Sequence, residues 1–215
     1  PFTAHALMLG YEDFYAGTKR FDRWFASRFS IALDPSERAE LDAFLARRFA
    51  GQGDIELYHQ FFSEGFSDFT RSVDRSKRNI FIFPNLFWDI GINYEGTLYR
   101  DVIAWVLDTV ETLAGQPGCH LYVKPHPAEA YGSAKSGKGI VDFLLTKWPV
   151  LPENVSIIDP ELKIKTYELF PFIDLGLVYN GTIGLEMLLK GIPVVTAGAA
   201  PYSGSQSVAA VHSPT

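Results

Sequence analysis

Toward the start of the chain the apolar positions recur at helical spacing. Between Asp34 and Gly51, Leu41, Phe44, Leu45 and Phe49 fall on one side of a 3.6-residue helix. Asp34 is placed to cap it, Pro35 suits the first helical position, Glu37 completes a capping box and Gly51 supplies the stop. The stretch IELYHQFFSEGFSDFTRSV, residues 55–73, reads as one or two more helices broken at Gly65. No strand-like alternation is visible up to about Arg78.

From Asn79 onward the texture changes. Short apolar runs (NIFIF, CHLYV, NVSII, LGLVY, PVVTA) are continuous rather than alternating, as in strands covered on both faces. Between them lie helical stretches: TLYRDVIAWVLDTVETLAG, GIVDFLLTKW, IKTYELFPFI and TIGLEMLLKG. Strands alternating with helices predict an α/β fold, a Rossmann-like parallel sheet preceded by a helical segment. The boundary is expected near residue 77, separating 1–76 from 77–215.

Composition changes this picture little. Of 215 residues, 47% are hydrophobic and 20% charged, as in an ordinary globular protein. The net charge of −6 argues against a broad nucleic-acid surface, so no nucleic-acid partner is expected. No apolar run reaches the length of a membrane span. The single cysteine, Cys119, has no partner for an internal disulfide and fits a reducing compartment. A chain that opens on Pro1 and stops at VHSPT reads as a piece of a larger protein.

In sheets of this kind ligands bind at the carboxyl ends of the strands. The unusual residues fall there: PNLFWD (84–89), KPHPAE (124–129), NGTIG (180–184) and AGAAPYSG (197–204, with Tyr202). At the fourth strand end, Gly181 would let the chain turn sharply and a ligand approach, with Asn180 or Thr182 as helix cap. The first amides of that helix, as far as Gly184, would suit a phosphate. A tight, well-capped turn explains the same residues. Glu186, one turn in among apolar neighbours, could accept bonds from ribose hydroxyls or pair at the surface with Lys190.

KPHP is more distinctive. Pro125 and Pro127 bracket His126, fixing the direction in which its imidazole leaves the strand. Such a ring can donate to a phosphate or, protonated, offset its charge. Lys124 adds a cation and Glu129 a carboxylate. GSAKSGKG (132–139) nearly spells a P-loop, but Gly139 stands where a hydroxyl would hold Mg²⁺. Zinc-ligand spacing, a nucleophile elbow and a dinucleotide fingerprint are not found, so no metal or cofactor is expected.

Taken together, FPNLFWDIG, WVLDTVE, LYVKPHPAE, LPENVSIIDPELKIKTYELFPFIDLGLVYNGTIGLEMLLKGIPVVTAG and PYSG resemble bacterial capsule polysaccharide biosynthesis proteins, including Kdo-transferase-like glycosyltransferases of GT-B type. The resemblance covers roughly Lys77 to Gly204. It implies the C-terminal half of a GT-B fold, binding a CMP- or UDP-linked sugar. His126 and Pro127 would face the donor phosphate. Asn180, Gly181, Thr182 and Glu186 would hold phosphate and ribose, and Asn85, Trp88 and Asp89 match a motif at the cleft mouth. Lys124 stands where many relatives carry Arg, and the acidic general-base motif of related sialyltransferases is missing.

The resemblance also implies an oligosaccharide or lipid-linked glycan acceptor and an N-terminal domain upstream. It places the enzyme in the cytoplasm, at the inner face of the bacterial membrane. Two alternatives stay open: a nucleotide-sugar epimerase of similar architecture, with Asp89 and Glu129 as acid and base, and a non-catalytic nucleotide-binding module of capsule assembly.

Overall fold

The computed structural model describes residues 31–50, 66–87, 98–99, 101–129, 138–160, 164–200, 202 and 208–210. Two compact units divide the chain, Pro1–Gln60 and Phe61–Thr215. In the first, helix α1 spans Pro35–Phe49. Its start follows the expected capping box: Asp34 Oδ1 accepts from the amides of Ser36 and Glu37, and Glu37 Oε2 accepts from that of Asp34. Its expected apolar face is not buried, and Phe44 is half exposed. The proposed stop at Gly51 lies outside the described residues.

The second unit begins, among described elements, with α2 (Phe66–Ser72). Strands β1 (Arg78–Phe83), β2 (Cys119–Val123), β3 (Val155–Ile157), β4 (Leu175–Val178), β5 (Val194–Thr196) and β6 (Val208–Ala210) form one sheet. All pairings are parallel, in the order β3-β2-β1-β4-β5-β6. The α/β expectation holds, and the five apolar runs are five of the strands. The sixth strand was not foreseen.

Helices α3 (Val102–Leu113), α4 (Ile140–Lys147), α5 (Thr166–Leu169) and α6 (Ile183–Leu189) separate the strands. Short 3-10 turns follow at Pro127–Glu129 and Phe170–Phe172. Helix α3 starts later than its apolar pattern suggested, because Asp101 stays extended and its carboxylate caps the amide of Ala104.

The two sheet faces bury different chemistry. One is aliphatic: Ile80, Ile82, Leu121, Val123 and Leu177 pack with Val102, Val106 and Val110 of α3 and Leu144 of α4. The other is aromatic. Phe81 stacks on Tyr122 at 4.7 Å, and Phe69 of α2 meets both rings edge-on. Helix α6 covers this second face: a Cβ on Gly176 would lie 2.4 Å from Met187 Cε. Among the described residues no helix is long and apolar enough to cross a membrane.

Candidate functional site

The strand order reverses direction between β1 and β4, so the loops leaving these strands flank a crevice at the carboxyl edge of the sheet. The sequence motifs at 84–89 and 180–184 leave from those two strands. Asn85 and Asn180 join hands across the crevice. Asn85 Nδ2 donates to Asn180 Oδ1 at 2.8 Å, and the Asn180 amide donates to Asn85 Oδ1 at 3.4 Å. One asparagine side chain thereby ties two strand ends together.

The turn that follows differs in detail from the sequence expectation. Gly181 does not adopt the left-handed conformation that requires glycine. A Cβ there would sit 3.6 Å from Asn85 Oδ1, an ordinary contact. Neither proposed side chain caps α6: Thr182 makes no capping bond and is exposed, while the Asn180 oxygen is given to Asn85. The turn is held from outside instead. The Tyr202 hydroxyl donates to the Gly181 carbonyl across the β5 loop.

Gly184 is the glycine that close packing demands. A Cβ on it would lie 2.3 Å from the Tyr202 hydroxyl and 2.9 Å from Val178 Cγ2. Glu186 is buried on the same helix, and its charge, after burial itself, helps push the Tyr202 phenol well above its usual value. The helix is not buried all round, as its apolar sequence suggested. Leu185 and Leu189 are exposed at 40% and 47%.

The KPHP element leaves β2, the neighbour of β1. Pro125 is buried and His126 half-buried. His126 Nδ1 accepts from the amide of Ala128 at 3.1 Å, within the 3-10 turn opened by Pro127. An N–H pointing at Nδ1 places the proton of a neutral ring on Nε2, where it serves as a donor. This geometry suits a neutral imidazole donor and not the charged ring, which would lose the Ala128 bond.

Glu129 is turned to the helix that follows it. Its Oε2 accepts from the amide of Ile140 at 2.7 Å and so caps α4, where Gly139 has no side chain to do so. Its Oε1 is buried without a partner, and burial, the largest influence, raises its carboxyl above the usual range. Lys124 is buried at the end of β2. Trp88 and Asp89 lie outside the described residues, as does most of GSAKSGKG. Among the described residues no group of three or more His, Cys, Asp or Glu is placed to hold a metal ion.

The structure therefore brings Asn85, Asn180, Gly181, Gly184, Glu186 and Tyr202 into one constellation at the ends of β1, β4 and β5. His126, Pro127 and Lys124 stand at the end of β2. The contact that sequence reasoning missed is the Tyr202 bond to Gly181. Twenty-one residues separate the two, and only the parallel pairing of β4 with β5 brings them together.

Comparison with known proteins gives the following. A family model described as capsule polysaccharide biosynthesis protein matches residues 44–206. The structure titled Thermosulfurimonas dismutans KpsC, beta Kdo 2,4 transferase, is similar at TM-score 0.52 and 17% identity, covering 85% of this chain and 51% of that one. KpsC beta Kdo 2,7 transferase of the same organism gives 0.46 and 20%, covering 79% and 51%. A UDP-GlcNAc 2-epimerase from Neisseria meningitidis gives 0.43 and 16%, covering 70% and 36%. The chain spans about half the length of the KpsC structures. Comparison with curated proteins gives no match.

Proposed function

The chain belongs to the capsule polysaccharide biosynthesis protein family, and from that premise we propose that its α/β unit is the donor-binding part of a glycosyltransferase building a capsular or other surface polysaccharide. The donor is a nucleotide-activated sugar, CMP- or UDP-linked. CMP-Kdo is favoured because the KpsC structure sharing this fold is titled a Kdo transferase. The acceptor is an oligosaccharide or lipid-linked glycan, and a lipid-carried acceptor would hold the enzyme at the inner face of the membrane.

One observation carries this reading. The loops leaving β1 and β4 are tied at the topological switch point by the Asn85–Asn180 pair, and at the end of the neighbouring strand β2 His126 accepts at Nδ1, which leaves the proton of a neutral ring on Nε2. An acceptor hydroxyl would attack the anomeric carbon as the nucleotide departs with the bonding pair. Negative charge then grows on the leaving phosphate, where a donor is worth most. His126 would supply one such donor and the backbone amides of 181–183 others, since those of Asn180 and Gly184 donate to Asn85 and to the Gly181 carbonyl. Glu186, buried in the first turn of α6, would take the ribose hydroxyls. The epimerase reading needs a second free carboxylate, and Glu129 is committed to capping α4.

Calorimetry of the full chain with CMP, UMP and GDP tests the proposal. CMP-selective binding is expected, weakened roughly ten- to a hundredfold in His126→Ala, the loss of one hydrogen bond to a charged group. A folded protein that binds no nucleotide would overturn it. Turnover of UDP-N-acetylglucosamine without an acceptor would replace it by the epimerase.

A further inference from the structure

Lys124 stands just past the last residue of β2, and its amide continues the ladder by donating to the Ile82 carbonyl at 2.9 Å. Side chains alternate along a strand, so Lys124 shares the face on which Tyr122 stacks against Phe81. Phe69 of α2 packs on that face over β1 and β2, and α6 covers it over β4 and β5. Register fixes its neighbours: Ile82 pairs with Val123, Phe83 with Val178, and Val178 with Thr196. Lys124, Phe83, Val178 and Thr196 therefore form one row across four strands. The first turn of α6 meets this row at Val178, where a Cβ on Gly184 would lie 2.9 Å from Cγ2. Strands sit about 4.8 Å apart, which puts Lys124 and Val178 roughly 10 Å from each other.

The residue is only 7% exposed, and no hydrogen bond or ion pair of its amine is found among the described residues. Desolvation lowers its pKa to about 8, so it is still mostly protonated at neutral pH. A nearly buried ammonium with no partner among the described residues is costly, and proteins ordinarily pair or remove such a charge. Here it sits at the edge of the sheet where ligands bind.

We propose that Lys124 is the receptor for an oxyanion of the bound donor, a nucleotide phosphate or the carboxylate of an acidic sugar. The empty site then carries a buried charge that the ligand neutralises, and stability is sacrificed for recognition. The inference rests on the donor-site reading and names the charge which that site recognises.

The test compares the full-length wild type with Lys124→Met and Lys124→Arg, using probe pairs that differ by one charge. CMP against cytidine reads a phosphate, and Kdo against its methyl ester reads a carboxylate. Expected is at least a tenfold loss of affinity for the charged member of one pair in Lys124→Met, with the uncharged member unaffected. Lys124→Arg should retain most of the discrimination. Ligand-free Lys124→Met should melt above the wild type, an outcome that a merely structural lysine would not give.

Wild-type discrimination that survives in Lys124→Met overturns the inference while leaving the donor reading intact. Inorganic phosphate that stabilises wild type but not Lys124→Met, with no nucleotide bound, upholds the anion site and removes the donor reading. No response to any probe ends both. Should Lys124→Met fail to fold, amine labelling of the wild type by trinitrobenzenesulfonate decides. Modification of Lys124, read by mass spectrometry, should slow at saturating CMP or Kdo, and an unchanged rate overturns the inference.

Discussion

At Gly184 a single methyl group would be felt. The hydrogen that glycine carries leaves room for the Tyr202 hydroxyl, 2.3 Å from where a Cβ would stand, and for Val178 Cγ2 at 2.9 Å. Gly184→Ala should therefore cost about 1–3 kcal/mol, as overpacked positions do. Tyr202→Phe forfeits the hydrogen bond to the Gly181 carbonyl, about 1 kcal/mol. In the double variant the hydroxyl that obstructs the new methyl is gone. The combined loss should thus fall below the sum of the two, measured by urea unfolding. Strict additivity would say that the phenol is not what keeps residue 184 small. The sequence pointed to this turn and gave its sharp bend to Gly181, whose backbone does not need a glycine. Gly181 follows an asparagine and looks like a turn residue, whereas the crowding at Gly184 arises from Tyr202, which approaches only after β5 has paired.

Among the elements, α4 depends on a residue outside itself. Glu129 Oε2 caps the Ile140 amide from the preceding 3-10 turn, and so fixes the KPHP loop to the helix behind it. Glu129→Ala should cost about 1 kcal/mol, the usual worth of a lost cap. Glu129→Gln keeps an oxygen acceptor and removes the charge. Burial raises the Glu129 carboxyl, so its contribution is full below the unfolded value of 4.5 and is lost as pH rises through the folded one. Near pH 7 the glutamine variant should hence match or exceed wild type in thermal melts, and fall behind as the medium turns acid. Nothing in the local sequence announces this cap, because Gly139 has no side chain and the true partner lies in another segment. Continuous apolar runs, by contrast, made five strands legible, since burial on both faces leaves no polar alternation. Strand β6 escaped notice for the same physical reason in reverse. Val208–Ala210 is three residues of short side chains, and its pairing with β5 defines it more than its composition does.

Among the described residues, burial of lysine and tyrosine side chains shapes the alkaline stability profile. Lys124 is held to about 8 against 10.5 for a solvated lysine side chain. Below about 8 both folded and unfolded chains carry the proton, and its full burial cost, on the order of 3 kcal/mol at 1.36 kcal/mol per pKa unit, weighs on the fold. Between about 8 and 10.5 the unfolded chain still binds the proton that the folded chain has released. Stability contributed by this group must then rise with pH. Tyr99 and Tyr202 act in the opposite sense, because their phenols are pushed up, Tyr99 to about 12, so that the unfolded chain ionises first and gains above pH 10. Wild-type stability is therefore expected to climb from pH 8, pass a maximum near 10 and decline. Lys124→Met should keep the decline and lose the climb. Denaturant titrations at half-unit steps give the difference between the two proteins, from which the tyrosine contributions cancel. A difference that stays flat from pH 8 to 10 would mean that the amine at 124 is paired or solvated, and that no buried charge awaits an anion at the end of β2.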